Sequence, residues 1–209
     1  MLLSLPKTIK QMDRKRMLQN VVFLDRDGVI NRDSPDYVKS WSEFEFIPGS
    51  LEALKLLNLN GYVSIVITNQ SAVNRKMITI KELENTHARM KRAVKSHGGK
   101  IKDIFFCPHT PEEACGCRKP NPELIYNARQ THMISLSTST MVGDSVKDIE
   151  CARNAGCGQT ILVKTGNGEK AEKTLIEKGV YPDYVAEDLL DAVNWIVIYC
   201  KNISSHDHS

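Results

Sequence analysis

Short apolar runs recur along the chain, and each is bounded by polar residues or glycine. The first run, Val21–Leu24, is apolar at every position, which is typical of a strand buried on both faces of a sheet. Tyr62–Thr68 is longer and rich in β-branched residues, which favours a second central strand. Four further runs predict strands, the last of them at a sheet edge: Ile101–Cys107, Ser139–Val142, Gln159–Lys164 and Tyr184–Ala186.

Between these runs, apolar residues repeat at the spacing of an amphipathic helix. Gly49 and Gly61 bound a predicted helix with such a stripe, because glycine is common where helices begin or end. Thr79 and Glu82 form a candidate N-terminal capping box for a helix that ends at Gly98. Three more helices are predicted: Pro122–His132, Ser145–Gly156 and a closing helix with an apolar stripe through Leu189, Val193, Ile196, Val197 and Cys200.

The alternation of strands and helices predicts a mostly parallel sheet with helices on both faces. In such sheets, ligands bind beyond the carboxyl ends of the strands, at the point where the strand order reverses. The connection from Gly28 to Pro48 is long for this class of fold, and long connections in compact domains are usually functional. We expect its aromatic segments, Tyr37–Trp41 and Phe44–Ile47, to pair as a hairpin over the strand ends.

Composition excludes several classes of protein. Hydrophobic residues make up 41% of the 209 residues and charged residues 25%, the balance of a globular protein with a sizeable core. A formal net charge of +3 gives no electrostatic reason to expect a nucleic acid or a membrane as partner. No apolar run reaches the roughly 18–20 residues of a membrane span, and the N-terminus is a poor signal peptide. We therefore expect a cytoplasmic protein whose cysteines are thiols or metal ligands.

The polar ends of the chain are expected to flank one domain. Residues 1–19 are predicted to be an N-terminal extension, residues 20–200 a single domain, and residues 201–209 a disordered tail. Neither the connection from Gly28 to Pro48 nor that from Gln70 to Lys100 contains a lid-sized insertion. We therefore expect an open site and a monomer.

Asp25 and Asp27 follow the first strand directly, in the string FLDRDG. Residues two apart in an extended chain point the same way, so both carboxylates can face one site at the strand's carboxyl end. Gly28 permits a sharp turn just beyond them. Two carboxylates held this close repel each other, and a divalent cation is the simplest remedy. The alternative is a solvated Asp-Arg-Asp turn.

Polar residues also follow other predicted strands or precede helices. Thr68 ends the second strand, and Lys119 lies in a loop before a helix. Asp144 follows the fourth strand, and Asp148 lies one helical turn later on the same face. Asp148 either binds the same cation directly or contacts the residues that bind it. Each residue has an ordinary alternative: a polar strand exit, a solvated lysine, or an N-cap aspartate with a neighbour.

A second group of metal-binding residues follows the third strand. Cys107, His109, Cys115 and Cys117 offer three thiols and one imidazole in a single short loop, which matches a closed, structural Cys3His zinc site. A zinc ion would order a loop that has few apolar residues. Incidental cysteines and a redox dithiol are the alternatives. Arg118 follows the last ligand directly, so bound Zn2+ would also fix its backbone.

The other cysteines and histidines have no partners at ligand spacing. We expect the cysteines to be buried thiols: Cys151, Cys157 and Cys200. We expect the histidines to lie at the surface, as the tail histidines do: His87, His97 and His132.

The order Asp-x-Asp-Gly, Thr, Lys and Gly-Asp-x-x-x-Asp is a rare combination. From Val21 to Val163, the chain resembles the haloacid dehalogenase superfamily of phosphatases. The resemblance implies an α/β fold of three layers, a Rossmann-like domain with a parallel sheet and no large cap domain. With the predicted zinc-bound loop, this is the fold class that we expect.

The resemblance also implies roles for the residues of these motifs. Asp25 is the nucleophile that forms an aspartyl-phosphate, and Asp27 is the acid/base. Thr68 and Lys119 bind the transferring phosphoryl group. Asp25, the backbone carbonyl of Asp27, and Asp144 hold Mg2+. The zinc ion is structural.

The string Cys-Pro-His…Cys-x-Cys-Arg-Lys-Pro resembles a capless branch of this superfamily, the heptose-bisphosphate and histidinol-phosphate phosphatases. A small phosphorylated sugar is the substrate that this implies, with removal of the 7-phosphate of D-glycero-D-manno-heptose 1,7-bisphosphate or of a close sugar bisphosphate. Histidinol phosphate of histidine biosynthesis is the alternative. Ser71 and Arg75 match the heptose pattern, whereas Ala72 and Asn74 depart from it, as does Ser145, where heptose enzymes commonly have lysine. The candidate substrate-binding residues are Asp33, Asn69, Gln70, Ser71, Arg75, Arg118 and Ser145.

A third hypothesis belongs to another class, a non-enzymatic zinc module that binds nucleic acid. Such a module predicts a basic stripe interleaved with aromatic residues. An aromatic content of 6% and 28 basic residues against 25 acidic ones count against it.

Overall fold

The structure is a computed structural model that describes residues 20–206. The predicted N-terminal extension, residues 1–19, lies outside the described residues, and so do residues 207–209 of the predicted tail. Within the described range, no helix combines the length and the hydropathy needed to span a bilayer.

A six-stranded sheet forms the centre of the fold, in the order β3-β2-β1-β4-β5-β6. All neighbouring strands are parallel. The order reverses beside β1, which pairs with β2 on one side and β4 on the other, so the predicted ligand-binding edge lies at the ends of these strands. The strands are β1 (Val21–Leu24), β2 (Val63–Asn69), β3 (Ile101–Cys107), β4 (Thr140–Gly143), β5 (Gln159–Val163) and β6 (Tyr184–Ala186).

Helices cover both faces of the sheet, which confirms the predicted three-layer α/β class. The helices are α1 (Ser50–Leu59), α2 (Ile80–Ser96), α3 (Glu123–His132), α4 (Val146–Ala155), α5 (Gly168–Glu177) and α6 (Leu189–His206). Val22 and Leu24 of β1 pack with α1, α2 and α6, whereas Val21 and Phe23 pack with α3 and α4. All four side chains are completely buried, as the continuous apolar run predicts.

Local residue chemistry sets the helix ends close to their predicted positions. Thr79 accepts a hydrogen bond from the backbone N–H of Glu82, and the Glu82 carboxylate accepts one from Thr79, which confirms the predicted capping box. Gly49 caps α1 in the left-handed region, at φ 84°, where glycine is unstrained. Ser145 and Asp148 form a further capping box at the start of α4.

Three elements differ from the sequence-based expectation. The hairpin prediction is wrong: Trp41–Glu43 form a 3-10 turn, Trp41 stacks on Phe44 at 5.0 Å between ring centroids, and Phe46 bridges to Asn31. Packing among the aromatic rings outweighs strand pairing there. Helix α5 was not predicted, although its buried Ala171 and Leu175 have helical spacing. Helix α6 continues to His206, beyond residue 201, where the disordered tail was expected to begin.

Candidate active site

Most of the residues predicted to act on a ligand lie at or just beyond the carboxyl ends of β1, β2 and β4, which are neighbours in the sheet. Arg118 and Lys119 come from the loop before α3. A cavity of about 570 Å3 opens at this edge, within the size range of small-molecule sites. Arg75 is the one predicted ligand-contacting residue that does not line it. The predicted residues in the lining are Asp25, Asp27, Asp33, Thr68, Asn69, Gln70, Ser71, Arg118, Lys119, Asp144 and Ser145.

The Lys119 ammonium group lies at the centre of the charges in this cavity. Its side chain is 2% exposed, and Nζ lies 2.9 Å from Oδ1 of Asp25 and 2.6 Å from Oδ1 of Asp148. Nζ also donates a hydrogen bond of 2.8 Å to the carbonyl oxygen of Ile67. Burial alone would lower the pKa of Lys119, but the charges of Asp148 and Asp25 outweigh burial and raise it. The lysine is therefore a buried, charged group and not a solvated loop residue.

Asp25, Asp144 and Asp148 bring carboxylate oxygens within 4.8 Å of one another. Burial, followed by the negative charges of Asp148 and Asp25, raises the pKa of Asp144 to about 8. Burial also raises the pKa of Asp25 to about 7, although Lys119 opposes the shift. When all three carboxylates are ionised, one ammonium leaves two negative charges uncompensated, which matches the charge of a divalent cation. Carboxylate oxygens are the ligands that Mg2+ prefers, so the residues fit this ion.

Backbone atoms pack directly against the Asp144 carboxylate. Asp144 is 3% exposed, and its Oδ2 accepts a hydrogen bond of 2.8 Å from the backbone N–H of Asn167. Gly28 has φ +80°, and a Cβ at this position would collide with the Asp144 carboxylate. Only glycine satisfies both the left-handed turn and this close approach.

The Asp27 carboxylate belongs to a different network from the three clustered carboxylates. Its Oδ1 accepts hydrogen bonds from the Arg26 guanidinium, at 3.2 and 2.8 Å, and from Asn31 Nδ2, at 2.9 Å. Its Oδ2 accepts one from Gln70 Nε2, at 2.7 Å. Burial alone would raise the pKa of Asp27, but the Arg26 charge and these hydrogen bonds lower it overall. The prediction that its backbone carbonyl binds the metal stays a prediction.

The end of β2 supplies the next polar groups. Thr68 is 1% exposed, and its Oγ1 accepts a hydrogen bond of 2.9 Å from Gln70 Nε2. Asn69 exchanges two hydrogen bonds with the backbone of Lys119, at 3.1 and 3.3 Å. β2 therefore positions both the Thr68 hydroxyl and the chain that presents the lysine.

The remaining predicted substrate-binding residues have varied surroundings. The Ser145 hydroxyl donates to Oδ2 of Asp148 at 2.6 Å, so it orients a carboxylate. Asp33 accepts a hydrogen bond of 3.1 Å from Asn167 Nδ2. Arg118 lines the cavity and donates to the carbonyl oxygen of His109 at 3.0 Å. Substrate contacts by these residues, and by the buried Ser71, stay predictions.

Arg75 lies apart from this cavity lining. Its guanidinium is 3.7 Å from a carboxylate oxygen of Glu112, while the neighbouring Asn74 donates to Glu113 at 2.8 Å. These contacts tie the loop after β2 to the loop that contains the cysteines. Nothing in this arrangement places Arg75 against a ligand.

Sequence reasoning missed several residues of the site. Lys147, Asn167, Lys170 and Thr174 line the cavity. The last three surround or belong to α5, and the helical spacing of its apolar residues was the signal that would have located them. His87, expected at the surface, is instead 6% exposed beside Arg26, because its apolar neighbours on α2 bury that face.

Cys107, His109, Cys115 and Cys117 meet at the loop after β3. Neighbouring ligand atoms are 3.1–3.5 Å apart, including 3.2 Å between His109 Nδ1 and Cys117 Sγ. All four atoms lie within 4.8 Å of one another. The donor set and its compactness suit a closed tetrahedral zinc site.

Comparisons with known proteins agree with this geometry. A HAD-hydrolase-like family model matches residues 116–192. A D-glycero-beta-D-manno-heptose-1,7-bisphosphate 7-phosphatase of Pseudomonas aeruginosa is 43% identical over 152 residues, which cover 73% of this chain and 85% of that protein. The protein of the same name from Neisseria meningitidis serogroup A is 41% identical over 180 residues, or 85% of this chain and 94% of that protein.

A solved structure adds a comparison in three dimensions. D,D-heptose 1,7-bisphosphate phosphatase from B. bronchiseptica, complexed with magnesium and phosphate, superposes with a TM-score of 0.80 at 36% sequence identity. The superposition covers 86% of this chain and 99% of that chain. The similarity therefore extends over most of this chain.

The close approach of Gly28 to Asp144 gives a test of the metal site. We expect Gly28→Ala to weaken Mg2+ binding by roughly 10- to 100-fold, the usual effect of displacing a group that orients a metal ligand. Isothermal titration calorimetry measures the affinity. Gly61→Ala is the matched control, since Gly61 has a similar φ of +76° but no atom within 4 Å of an added Cβ. Equal Mg2+ affinities for the two variants would contradict the assignment.

Proposed function

The chain belongs to the D-glycero-D-manno-heptose-1,7-bisphosphate 7-phosphatase family of HAD-like hydrolases, and we propose that it removes the 7-phosphate of this sugar bisphosphate with Mg2+ as cofactor. The observation that supports this reaction is the convergence of Asp25, Asp27, Thr68, Lys119 and Asp144 at one cavity. Family membership makes the chain a phosphoric monoester hydrolase. The residue roles below belong to the proposal.

Asp25 is the proposed nucleophile. One of its carboxylate oxygens attacks phosphorus, the ester bond to the sugar breaks, and an aspartyl-phosphate forms. Water then attacks phosphorus, which releases inorganic phosphate and regenerates the carboxylate. The Lys119 ammonium, 2.9 Å from Asp25 Oδ1, reduces the repulsion between this carboxylate and an incoming phosphate.

Asp27 is the proposed acid/base of both half-reactions. It gives a proton to the departing sugar oxygen and later takes one from the attacking water. Its pKa is lowered in the free protein, chiefly because the Arg26 charge and the hydrogen bonds outweigh burial. The negative charge of an entering phosphate raises the pKa of a nearby carboxyl group. Substrate binding therefore favours the protonated form that the first half-reaction needs.

The phosphoryl group needs positive charge and hydrogen-bond donors around its oxygens. Thr68 and Lys119 are the proposed donors from the protein, one from the end of β2 and one from the loop before α3. Mg2+ held by Asp25 and Asp144, with Asp148 beside them, would neutralise charge on the same oxygens.

The cavity rim supports a bisphosphate as substrate. Arg118, Lys147 and Lys170 line the cavity from three separate segments, and neither lysine forms an ion pair with the described residues. We assign these cations to the distal phosphate, since charge-assisted hydrogen bonds are the strong ones. They repel the protonated amine of histidinol phosphate, the alternative substrate. Heptose enzymes commonly have a lysine where this chain has Ser145, and Lys147 and Lys170 supply that positive charge instead.

The loop after β3 is the proposed structural zinc site. Bound Zn2+ would fix Cys117, whose chain continues directly into Arg118 and Lys119. The side chain of Arg118 also contacts this loop, through the His109 carbonyl. Zinc held by these four residues would therefore position two cations of the cavity and would take no part in the chemistry.

Replacing the nucleophile tests the reaction. We expect Asp25→Asn to lower kcat by at least about a thousandfold, because an amide cannot form the phosphoenzyme. Phosphate release from heptose 1,7-bisphosphate and from histidinol phosphate, with and without Mg2+, is the measurement. Asp36→Asn, an exposed aspartate outside the cavity lining, should retain full activity. Faster turnover of histidinol phosphate would refute the substrate, and activity retained by Asp25→Asn would refute the mechanism.

The rim lysines test recognition of the second phosphate. We expect Lys170→Gln to raise KM for heptose 1,7-bisphosphate by roughly tenfold, the scale of one charge-assisted contact. KM for heptose 7-phosphate, which has no distal phosphate, should stay nearly constant. Lys173→Gln is the control, since Lys173 is an exposed lysine of the same helix outside the cavity lining. An equal change for both substrates would remove Lys170 from the distal-phosphate site.

Metal analysis tests the zinc assignment. We expect the purified protein to contain about one zinc ion per chain, as a closed four-ligand site implies. Cys115→Ser should lose the ion and lower the melting temperature, whereas Cys157→Ser, a cysteine outside the cluster, should retain it. Mass spectrometry of metal content and thermal unfolding report the two effects. Zinc retained by Cys115→Ser would exclude this site.

A further inference from the structure

Arg26 is an almost completely buried cation to which the reaction outlined above assigns no role beyond its effect on the pKa of Asp27. It lies between Asp25 and Asp27 in sequence and is 1% exposed. Its Nε and one terminal nitrogen both donate to Oδ1 of Asp27. A buried guanidinium that lacks a partner for one of its N–H groups is costly, so the position of the remaining nitrogen is informative.

That remaining nitrogen, NH1 of Arg26, lies 3.2 Å from Nε2 of His87 on α2. Arginine has only donors, so Nε2 accepts the hydrogen bond and the ring proton is on Nδ1. Burial, with a smaller contribution from the Arg26 charge, lowers the pKa of His87 to about 3. The ring is therefore neutral, and its edge-to-face contact with Phe106, at 5.8 Å between centroids, holds it in place.

We propose that His87 is a positioning residue for the acid/base carboxylate of Asp27 and acts through Arg26. By accepting from NH1, the ring fixes the guanidinium plane in the orientation in which two other donors meet Oδ1 of Asp27. Asn31 adds a third donor to the same oxygen. Oδ2 accepts a hydrogen bond from Gln70 alone among the described residues, so it is the oxygen that exchanges a proton with substrate.

Loss of the His87 acceptor would affect the Asp27 carboxylate although the hydrogen bonds that link the two side chains pass through Arg26. Without Nε2, the buried NH1 group has no partner, and the guanidinium has to rotate to find one. Rotation withdraws its donors from Oδ1 and releases the Asp27 carboxylate from a single orientation. General acid–base catalysis depends on that orientation, whereas substrate binding by the rim cations does not.

Two substitutions of His87 separate positioning from packing, given that the inference rests on the proposed role of Asp27. We expect His87→Leu to lower kcat by roughly tenfold, a part of the 10²–10⁴ that acid–base catalysis contributes, with little change in KM. His87→Gln, whose amide oxygen also accepts from an arginine, should restore most of kcat. Equal kcat for the wild type and a folded His87→Leu protein would overturn the proposal, as would equal losses in both variants.

A double-mutant cycle tests whether the effect passes through Asp27. In an Asp27→Asn background, His87→Leu should change kcat less than about twofold, since residues that act through one another are not additive. The same fractional loss in both backgrounds would show a merely structural role and overturn the proposal.

A measurement on the wild-type protein needs neither activity nor a variant. Nitrogen NMR of the imidazole should show the neutral Nδ1–H tautomer at pH 7, and a proton on Nε2 would overturn the proposal. If the wild-type protein hydrolyses no phosphate ester, the proposed function is wrong. The tautomer of His87 would still show whether its Nε2 accepts a hydrogen bond from Arg26, so the two failures can be told apart.

Discussion

The ion pairs of Lys119 are the interaction on which the rest of the site depends. Its buried ammonium is shared between Asp25 and Asp148, at 2.9 and 2.6 Å. Carboxylates this deeply buried are stable only when they are paired or bound to metal. When the three carboxylates are ionised, the lysine compensates one charge of the cluster, and the two that remain suit a divalent cation.

The fold explains why these charges meet. Asp25 and Asp144 follow β1 and β4, and Thr68 lies near the end of β2. These strands are adjacent in the sheet, at the point where the strand order reverses. Lys119 comes from a loop that is not part of the sheet, so it needs separate support. Asn69 supplies part of it through two hydrogen bonds to the Lys119 backbone. With the proposed zinc bound, the cysteine cluster, which ends two residues earlier, would anchor the same segment.

The two aspartates of the first motif lie in opposite electrostatic environments. Burial raises the pKa of Asp25 to about 7 in the protein alone, whereas the buried Arg26 and the surrounding hydrogen bonds lower the pKa of Asp27. Residues two apart in sequence therefore have separate partners. Such a division is what two different chemical roles require. Arg26 lies within the motif itself, whereas Gln70, Lys119 and Asp148 come from segments far from it in sequence.

The sequence by itself determined the sheet, most helix ends and the order of the charged motifs, because buried strands, caps and carboxylate spacing depend on neighbouring residues. It also indicated a compact Cys3His cluster from a single loop. Only the tertiary structure decided the arrangement of the aromatic loop, the presence of α5 in the cavity wall and the contact of His87 with Arg26. Helical spacing marks the buried faces of α2 and α5 within the sequence. Which groups those faces meet depends on packing between segments distant in the chain, so it leaves no local signal.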